Sequence, residues 1–297
     1  MFSGLSAFPL TPMQHGVIDE TAFIGLIQRL ADAGVDSIGA LGSTGNYAYL
    51  TRKERASIAQ LSVKHAGETP VIIGISALSI REVLALAEDA QEAGASAVLL
   101  APMSYQKLSE DEVFGLYKVV TRALSVPLCV YDNPGTTHFE FSDELHGRIA
   151  ELPSIGSIKI PGVPAAPDVA KERVERLRAL IPSRVTIGVS GDPLAAVGLN
   201  AGCEAWYSVI GGLFPQTALA ITRAIQAGDS QEALRISERL APLWGLFSQH
   251  GGSLRVVATA AELQGLAASP SLPLPLRGLE GEDRQGLARL LDELQLT

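Results

Sequence analysis

The sequence predicts an α/β fold, a closed (β/α)8 barrel of the TIM type that carries a C-terminal helical extension. Three observations predict it. Eight short apolar runs recur along the chain, spaced by roughly 25 to 35 residues, and a helical pattern follows each one. The runs are apolar throughout rather than alternating, as expected of strands covered on both faces in a parallel sheet. After the eighth, strand-like runs stop and helical patterns follow one another directly. Eight βα units are the number that closes a barrel, and one such barrel takes about 250 residues. Counting strands does not reveal closure, so an open doubly wound sheet also fits this pattern.

In order, the predicted strands are Leu5–Pro9, Val35–Leu41, Val71–Ile75, Ala97–Leu100, Leu128–Tyr131, Ile155–Lys159, Val185–Val189 and Ala205–Ile210. The helix after the first strand shows its inner face as Phe23, Leu26, Ile27 and Leu30, the spacing of one stripe on a helix. Thr51-Arg52-Lys53-Glu54, Ser79-Ile80-Arg81-Glu82 and Ser109-Glu110-Asp111-Glu112 each fit the capping box that opens a helix. Ala33-Gly34, Ala93-Gly94 and Ala201-Gly202 each close a helical pattern, with glycine suited to the left-handed position beyond the last turn. Phe214–Ala227 is the eighth barrel helix. Ser230–Ser248, Ser253–Leu266 and Glu282–Leu296 read as further helices, with Pro270–Leu276 an extended linker. The predicted division is a barrel over residues 1–226 and a helical extension over 227–297.

The chain has 297 residues, 47% of them hydrophobic, and a net charge of −9. That balance, with no basic stripe, argues against nucleic acid or an anionic membrane surface as partner. No apolar run approaches the 18 or so residues of a membrane span, and the first ten residues lack the basic start of a signal peptide. Cys129 and Cys203 sit in apolar runs and read as buried, reduced thiols, which predicts a cytoplasmic protein. The five histidines, at 15, 65, 138, 146 and 250, form no HxxxH or HxH pair, so no metal site is expected. GxGxxG, Walker A and GxSxG motifs are absent, so no nucleotide cofactor and no serine nucleophile elbow is indicated.

The chemistry-bearing residue that stands out is Lys159. The chain has six lysines against seventeen arginines. Five lysines lie in polar stretches, whereas Lys159 is flanked by Ile155, Ile158 and Ile160. Burial penalises an ammonium and so lowers its pKa. A Schiff-base lysine needs that property, because only about one ordinary lysine amine in a thousand is free near pH 7.4. A lysine at a strand end that merely reaches water would show the same local sequence.

In a (β/α)8 barrel the polar residues at the C-terminal strand ends face the active site. Three more places qualify. Gly42-Ser43-Thr44-Gly45 follows the second strand, and a glycine-flanked pair of hydroxyls suits a small anion such as a carboxylate. An ordinary turn with a hydroxyl cap would look the same. Tyr131 ends the fifth strand, where a phenol can relay protons or simply anchor the turn at Pro134. Trp206, Tyr207 and Ser208 end the eighth strand, with Tyr207 read as pocket wall. Gly211-Gly212 beyond it is a glycine pair of the kind that can hold a phosphate in such a barrel.

At these residues the sequence resembles the pyruvate-dependent class I aldolase and lyase family of dihydrodipicolinate synthase and N-acetylneuraminate lyase. Gly42-Ser43-Thr44-Gly45-Asn46 looks like its GTTGE loop, Tyr131-Asp132-Asn133-Pro134 like its YNxP motif, Ile158-Lys159 like its Schiff-base IK, and Ser190-Gly191-Asp192 like its SGDD turn. Phe2–Met13 and the helical C-terminus also fit, so the resemblance spans essentially the whole chain. It implies a lyase without metal or cofactor. Lys159 would form an imine with pyruvate or another 2-oxo acid. Ser43, Thr44 and neighbouring amides would hold the carboxylate, Tyr131 with Thr44 would relay protons, and Tyr207 would line the pocket where the family has an aliphatic residue. An aldehyde is the implied second substrate, and a homo-oligomer, dimer or tetramer, the implied assembly.

Three departures from the family pattern bear on the reaction and its second substrate. Thr136 stands where the synthase has an arginine for the aldehyde's carboxylate, which argues against true dihydrodipicolinate synthase activity. The family's second relay tyrosine, which crosses a dimer contact, falls at Ser104, with Tyr105 one place away. The stretch Ile160-Pro161-Gly162 replaces polar residues that contact the second substrate in relatives. A 2-keto-3-deoxy sugar-acid dehydratase or aldolase, using the same lysine, and a non-catalytic oxo-acid-binding homologue are the alternatives.

Overall fold

The computed structural model describes residues 1–296. Eight parallel strands close into a barrel: β1 (Gly4–Ala7), β2 (Ser37–Ala40), β3 (Val71–Gly74), β4 (Ala97–Leu100), β5 (Leu128–Tyr131), β6 (Ile155–Ile160), β7 (Thr186–Val189) and β8 (Ala205–Ser208). Each pairs with its sequence neighbours, and β1 pairs with both β8 and β2, which decides for closure over the open sheet. The covering helices are α1 (Glu20–Ala33), α2 (Arg52–His65), α3 (Ile80–Glu92), α4 (Glu110–Thr121), α5 (Asp143–Ala150), α6 (Pro167–Arg178), α7 (Ala195–Asn200) and α8 (Pro215–Gln226). Four more follow: α9 (Ser230–Arg239), α10 (Ala241–Gln249), α11 (Leu254–Leu263) and α12 (Gly281–Leu294).

Strand alternation sorts the apolar residues into two layers. On β6, Ile158 and Ile160 join the large layer between barrel and helices, with Phe23, Leu26, Ile27 and Leu30 of α1. A second cluster fills the barrel itself: Ile72, Ala97, Leu99, Ala101, Cys129, Tyr131, Ala205 and Tyr207, with Phe8 above β1. The interior alternates bulk with vacancy. A Cβ on Gly188 would lie 2.2 Å from the Tyr207 ring, and one on Gly39 would lie 2.4 Å from that of Phe8. Glycine at both positions is therefore what admits two aromatic rings at the top of the barrel.

Local signals largely set the helix ends. Thr51–Glu54 and Ser109–Glu112 form reciprocal capping boxes. At Ser79 only half of the box forms, because the hydroxyl accepts from the Glu82 amide without a return bond. Gly34 closes α1 in the left-handed conformation, at φ 76°. The single helix expected over Ser230–Ser248 is two, α9 and α10, joined at Leu240. Pro242, in the first turn of α10, explains the break: it has no N–H to donate and its ring collides with the preceding turn. The segment expected as an extended linker instead folds back in a turn, with the Leu276 amide donating to Pro273, and it reaches the barrel top where Met13 N–H donates to the Ser271 carbonyl.

Candidate active site

Lys159 lies one residue from the end of β6, in register with Tyr131 on β5 and Gly188 on β7. The pleat turns its side chain inward beside that of Ser157. It is 4% exposed, whereas the other five lysines are exposed. Its Nζ sits 3.9 Å from the ring centroid of Phe8, 4.1 Å from that of Tyr131 and 5.5 Å from that of Tyr207. Among the described residues no carboxylate forms an ion pair with it. Burial pushes the amine down to about 7, against a smaller upward pull from Cys129 and Asp192. A large fraction is therefore unprotonated at neutral pH.

Tyr131 ends β5 with its ring buried. Its hydroxyl lies 3.2 Å from Ser43 Oγ and accepts a hydrogen bond of 2.9 Å from the Asn133 side-chain amide. With its oxygen accepting from Asn133, the phenol keeps its own proton for Ser43 or for a substrate. Burial raises its pKa, so the group is neutral and serves as donor. The structure thus brings together the ends of β2, β5 and β6.

The turn after β2 places its left-handed backbone outside its glycines. Gly42 and Gly45 do not supply the left-handed residues; Leu41 (φ 57°) and Asn46 (φ 58°) do. The glycines serve by close approach instead. A Cβ on Gly42 would lie 2.6 Å from the Phe8 ring, and one on Gly45 would lie 3.0 Å from the Leu41 amide. Gly74 on β3 lets the Leu41 carbonyl pack against it, where a Cβ would come within 1.9 Å. A left-handed leucine costs about 1 kcal/mol or more and persists only when its surroundings fix it. Thr44, next in the turn, is 6% exposed and lines the same cavity as Ser43.

Tyr207 presents its ring to the cavity and its hydroxyl to the barrel interior. The hydroxyl lies 2.6 Å from Ser157 Oγ and accepts from the Cys129 thiol at 3.4 Å, while Thr186 Oγ1 donates to Ser157 at 2.9 Å. This buried chain of hydroxyls satisfies the phenol that an aliphatic residue would not bring. Ser208 accepts from the Gly211 amide and so shapes the turn rather than the cavity. Asp192 accepts from the Trp206 indole at 3.0 Å and from the Val209 and Ile210 amides at 3.1 and 2.8 Å, tying the loop after β7 to the turn after β8.

These residues line a cavity of about 930 Å³ at the C-terminal end of the barrel. A groove of similar volume on the outside, beside Arg29, Asp32 and Gln216, holds no buried nucleophile. Thr136 lines the cavity, as do Asn133, Ser190, Ser248, Ser253 and Arg255. Met103 lines it too, but Tyr105 is 92% exposed on this chain and does not. Ile160, Pro161 and Gly162 are not among the lining residues, so their apolar character does not decide the second substrate. Contributors that were not foreseen include Phe8, Tyr47 and the α10–α11 residues Phe247 and Arg255. Phe8 had one available signal, an aromatic residue near the end of the predicted first strand, Leu5–Pro9. The helical residues had none, since they arrive from far along the chain.

Behind Tyr131, Asp132 and His146 lie buried with Oδ2 and Nε2 3.5 Å apart. Burial pushes Asp132 up to about 7 and His146 down to about 4, so this contact is not a pair of full charges. Among the described residues no group of three or more His, Cys, Asp or Glu is placed to hold a metal, and no helix is long and apolar enough to cross a membrane. Both cysteines are buried and free.

Known proteins are similar to this chain in sequence and in fold. A sequence model described as the Dihydrodipicolinate synthetase family matches residues 1–294. The 4-hydroxy-tetrahydrodipicolinate synthase of Parvibaculum lavamentivorans is 32% identical over 279 residues, covering 93% of this chain and 92% of the relative. A crystal structure of dihydrodipicolinate synthase from Agrobacterium tumefaciens is 44% identical, with TM-score 0.94, over 99% of this chain and 98% of that one. One from Aquifex aeolicus is 26% identical, with TM-score 0.90, over 99% of both chains. A family match over residues 1–294 and a relative 32% identical over 93% of the chain carry one conclusion: the chain belongs to the dihydrodipicolinate synthetase family, whose members are Schiff-base lyases.

Proposed function

We propose that Lys159 condenses with pyruvate or a related 2-oxo acid and that the resulting enamine adds to an aldehyde, or is formed in reverse by releasing one. The observation that carries this reading is an amine buried to 4% exposure and lowered to about 7, with no ion-pair partner among the described residues and in direct register with the phenol of Tyr131. The Nζ lone pair forms the new N–C bond, and the carbonyl oxygen leaves as water. The iminium then draws electrons from C3, a C3 proton departs, and the enamine attacks the acceptor. Tyr131 passes protons at the carbonyl oxygen; the relay expected through Thr44 is proposed instead through Ser43, whose Oγ lies 3.2 Å from the Tyr131 hydroxyl, while Ser43 and Thr44 hold the carboxylate.

For the acceptor, we propose an aldehyde other than aspartate semialdehyde. Thr136 offers a hydroxyl where that substrate's carboxylate calls for a guanidinium. Among the described residues one arginine lines the cavity: Arg255, which comes from α11 and donates to the Arg277 carbonyl at 2.6 Å. The names of the relatives favour the synthase reading instead. Assembly as a cytoplasmic dimer or tetramer completes the proposal, supported by the exposed Tyr105 and Leu78 side chains.

The test combines trapping with turnover. Pyruvate and borohydride should leave a stable adduct on Lys159, and pyruvate methyl protons should exchange for deuterium. No adduct by intact mass ends the catalytic reading. An adduct without exchange leaves a binder rather than an enzyme. Rapid condensation with aspartate semialdehyde would overturn the acceptor proposal alone.

A further inference from the structure

We infer that Phe8 and Tyr207, with Tyr131, form an aromatic cage that stabilises the iminium cation on Lys159. The inference rests on the reading of Lys159 as the imine-forming amine and goes beyond it by assigning a role to two rings.

The reaction makes opposite demands on one nitrogen. It must be neutral to attack the ketone and cationic to draw electrons from C3. Apolar burial serves the first demand and works against the second. A neighbouring carboxylate would do the reverse. The structure uses neither alone. Nζ lies within 6 Å of three ring centroids, at 3.9, 4.1 and 5.5 Å, the range in which a ring face attracts a cation. The acid that pulls on it, Asp192, has its oxygens engaged by Trp206, Val209 and Ile210.

The cage is built rather than incidental. Gly39 and Gly42 clear the space that the Phe8 ring fills, and Gly188 does so for Tyr207. Gly212 lets the Phe8 carbonyl approach, since a Cβ there would lie 2.1 Å from it, and the Phe8 amide donates to the Ser208 carbonyl at 2.9 Å. The two rings meet edge to face with centroids 6.0 Å apart. Each ring is thus held before substrate arrives, and Tyr207 is also held by its bond to Ser157.

The consequence depends on pH in a definite direction. Above the amine's pKa, a neutral amine, a ketone and one proton give an iminium cation and water. A cation is created, so the cage favours product. Below it, an ammonium and a ketone give an iminium and water. One cation replaces another, and the cage contributes little. The titratable groups facing Nζ are Tyr131 and Cys129 from β5, Asp192 from the loop after β7 and Tyr207 from β8. All four are present in every protein compared, so their own titration cancels.

The experiment replaces Phe8 by 3,4,5-trifluorophenylalanine, which keeps the ring's shape and removes most of its face charge. Half-saturation by pyruvate of the borohydride-trapped adduct is read by intact mass at pH 5.5 and 9. The substitution should raise the half-saturating pyruvate about tenfold at pH 9 and less than about twofold at pH 5.5. No change at pH 9 overturns the cage. An equal loss at both pH values also overturns it, since packing rather than charge would then be responsible. No adduct on the natural protein would instead sink the Schiff-base reading itself.

Discussion

Replacing Lys159 by methionine should abolish imine formation and at the same time stabilise the fold. The amine falls from an ordinary 10.5 to about 7 on folding, chiefly through burial. Its folded pKa is depressed, so between about 7 and 10.5 the unfolded chain binds the extra proton. Stability therefore rises with pH across that window, and at neutral pH the protein bears nearly the full cost. Three and a half units at about 1.36 kcal/mol each, less the half-titration at pH 7, give a cost of roughly 4 kcal/mol. At pH 10 the same arithmetic leaves less than about 1 kcal/mol. Methionine has similar length, no charge, and a thioether that packs well against the rings of Phe8, Tyr131 and Tyr207. Urea unfolding of both proteins at pH 7 and pH 10 measures the difference directly, and comparing the two cancels every other titrating group. The variant should gain several kcal/mol at pH 7 and lose most of that advantage at pH 10. An equal difference at both pH values, or a variant less stable at pH 7, would refute the claim that this amine is buried at the expense of stability.

Three further outcomes follow from the geometry. Tyr131→Phe removes the hydroxyl shared with Ser43 and Asn133 and should lower kcat about 10²- to 10⁴-fold while a slower borohydride adduct still forms; steady-state and trapping kinetics together check it. Gly188→Ala places a methyl 2.2 Å from the Tyr207 ring and should cost about 1–3 kcal/mol or more, read as a lowered urea midpoint. Asp192→Ala leaves the Trp206 indole and the Val209 and Ile210 amides without their acceptor and should cost about 3 kcal/mol, with Asp192→Asn closer to the natural protein; thermal unfolding of the two variants separates them.

What the sequence determined by itself is local. Fully apolar runs such as Leu128–Tyr131 mark strands because both faces are covered, and the Ser/Thr-x-x-Glu boxes mark helix starts because they satisfy the first free amides. Lys159 was legible for the same reason: one charge in an apolar strand has no polar neighbour in sequence to account for it. The break at Pro242 was missed, since Ser230–Ser248 was read as one helix although a proline carries the local chemistry that ends one. What only the tertiary structure decided depends on pairing between distant segments. Closure sets β1 beside β8, and that alone brings Phe8 and Tyr207 onto one nitrogen. The same closure excludes water from Lys159, so the depth of its pKa shift belongs to the barrel and not to the strand. The left-handed Leu41, held by Gly74 on β3, and Arg255, carried in on α11, owe their places to contacts that no window of neighbouring residues contains. Local free energies choose strand or helix; burial, charge and cavity shape are set by what the rest of the chain brings to the same point.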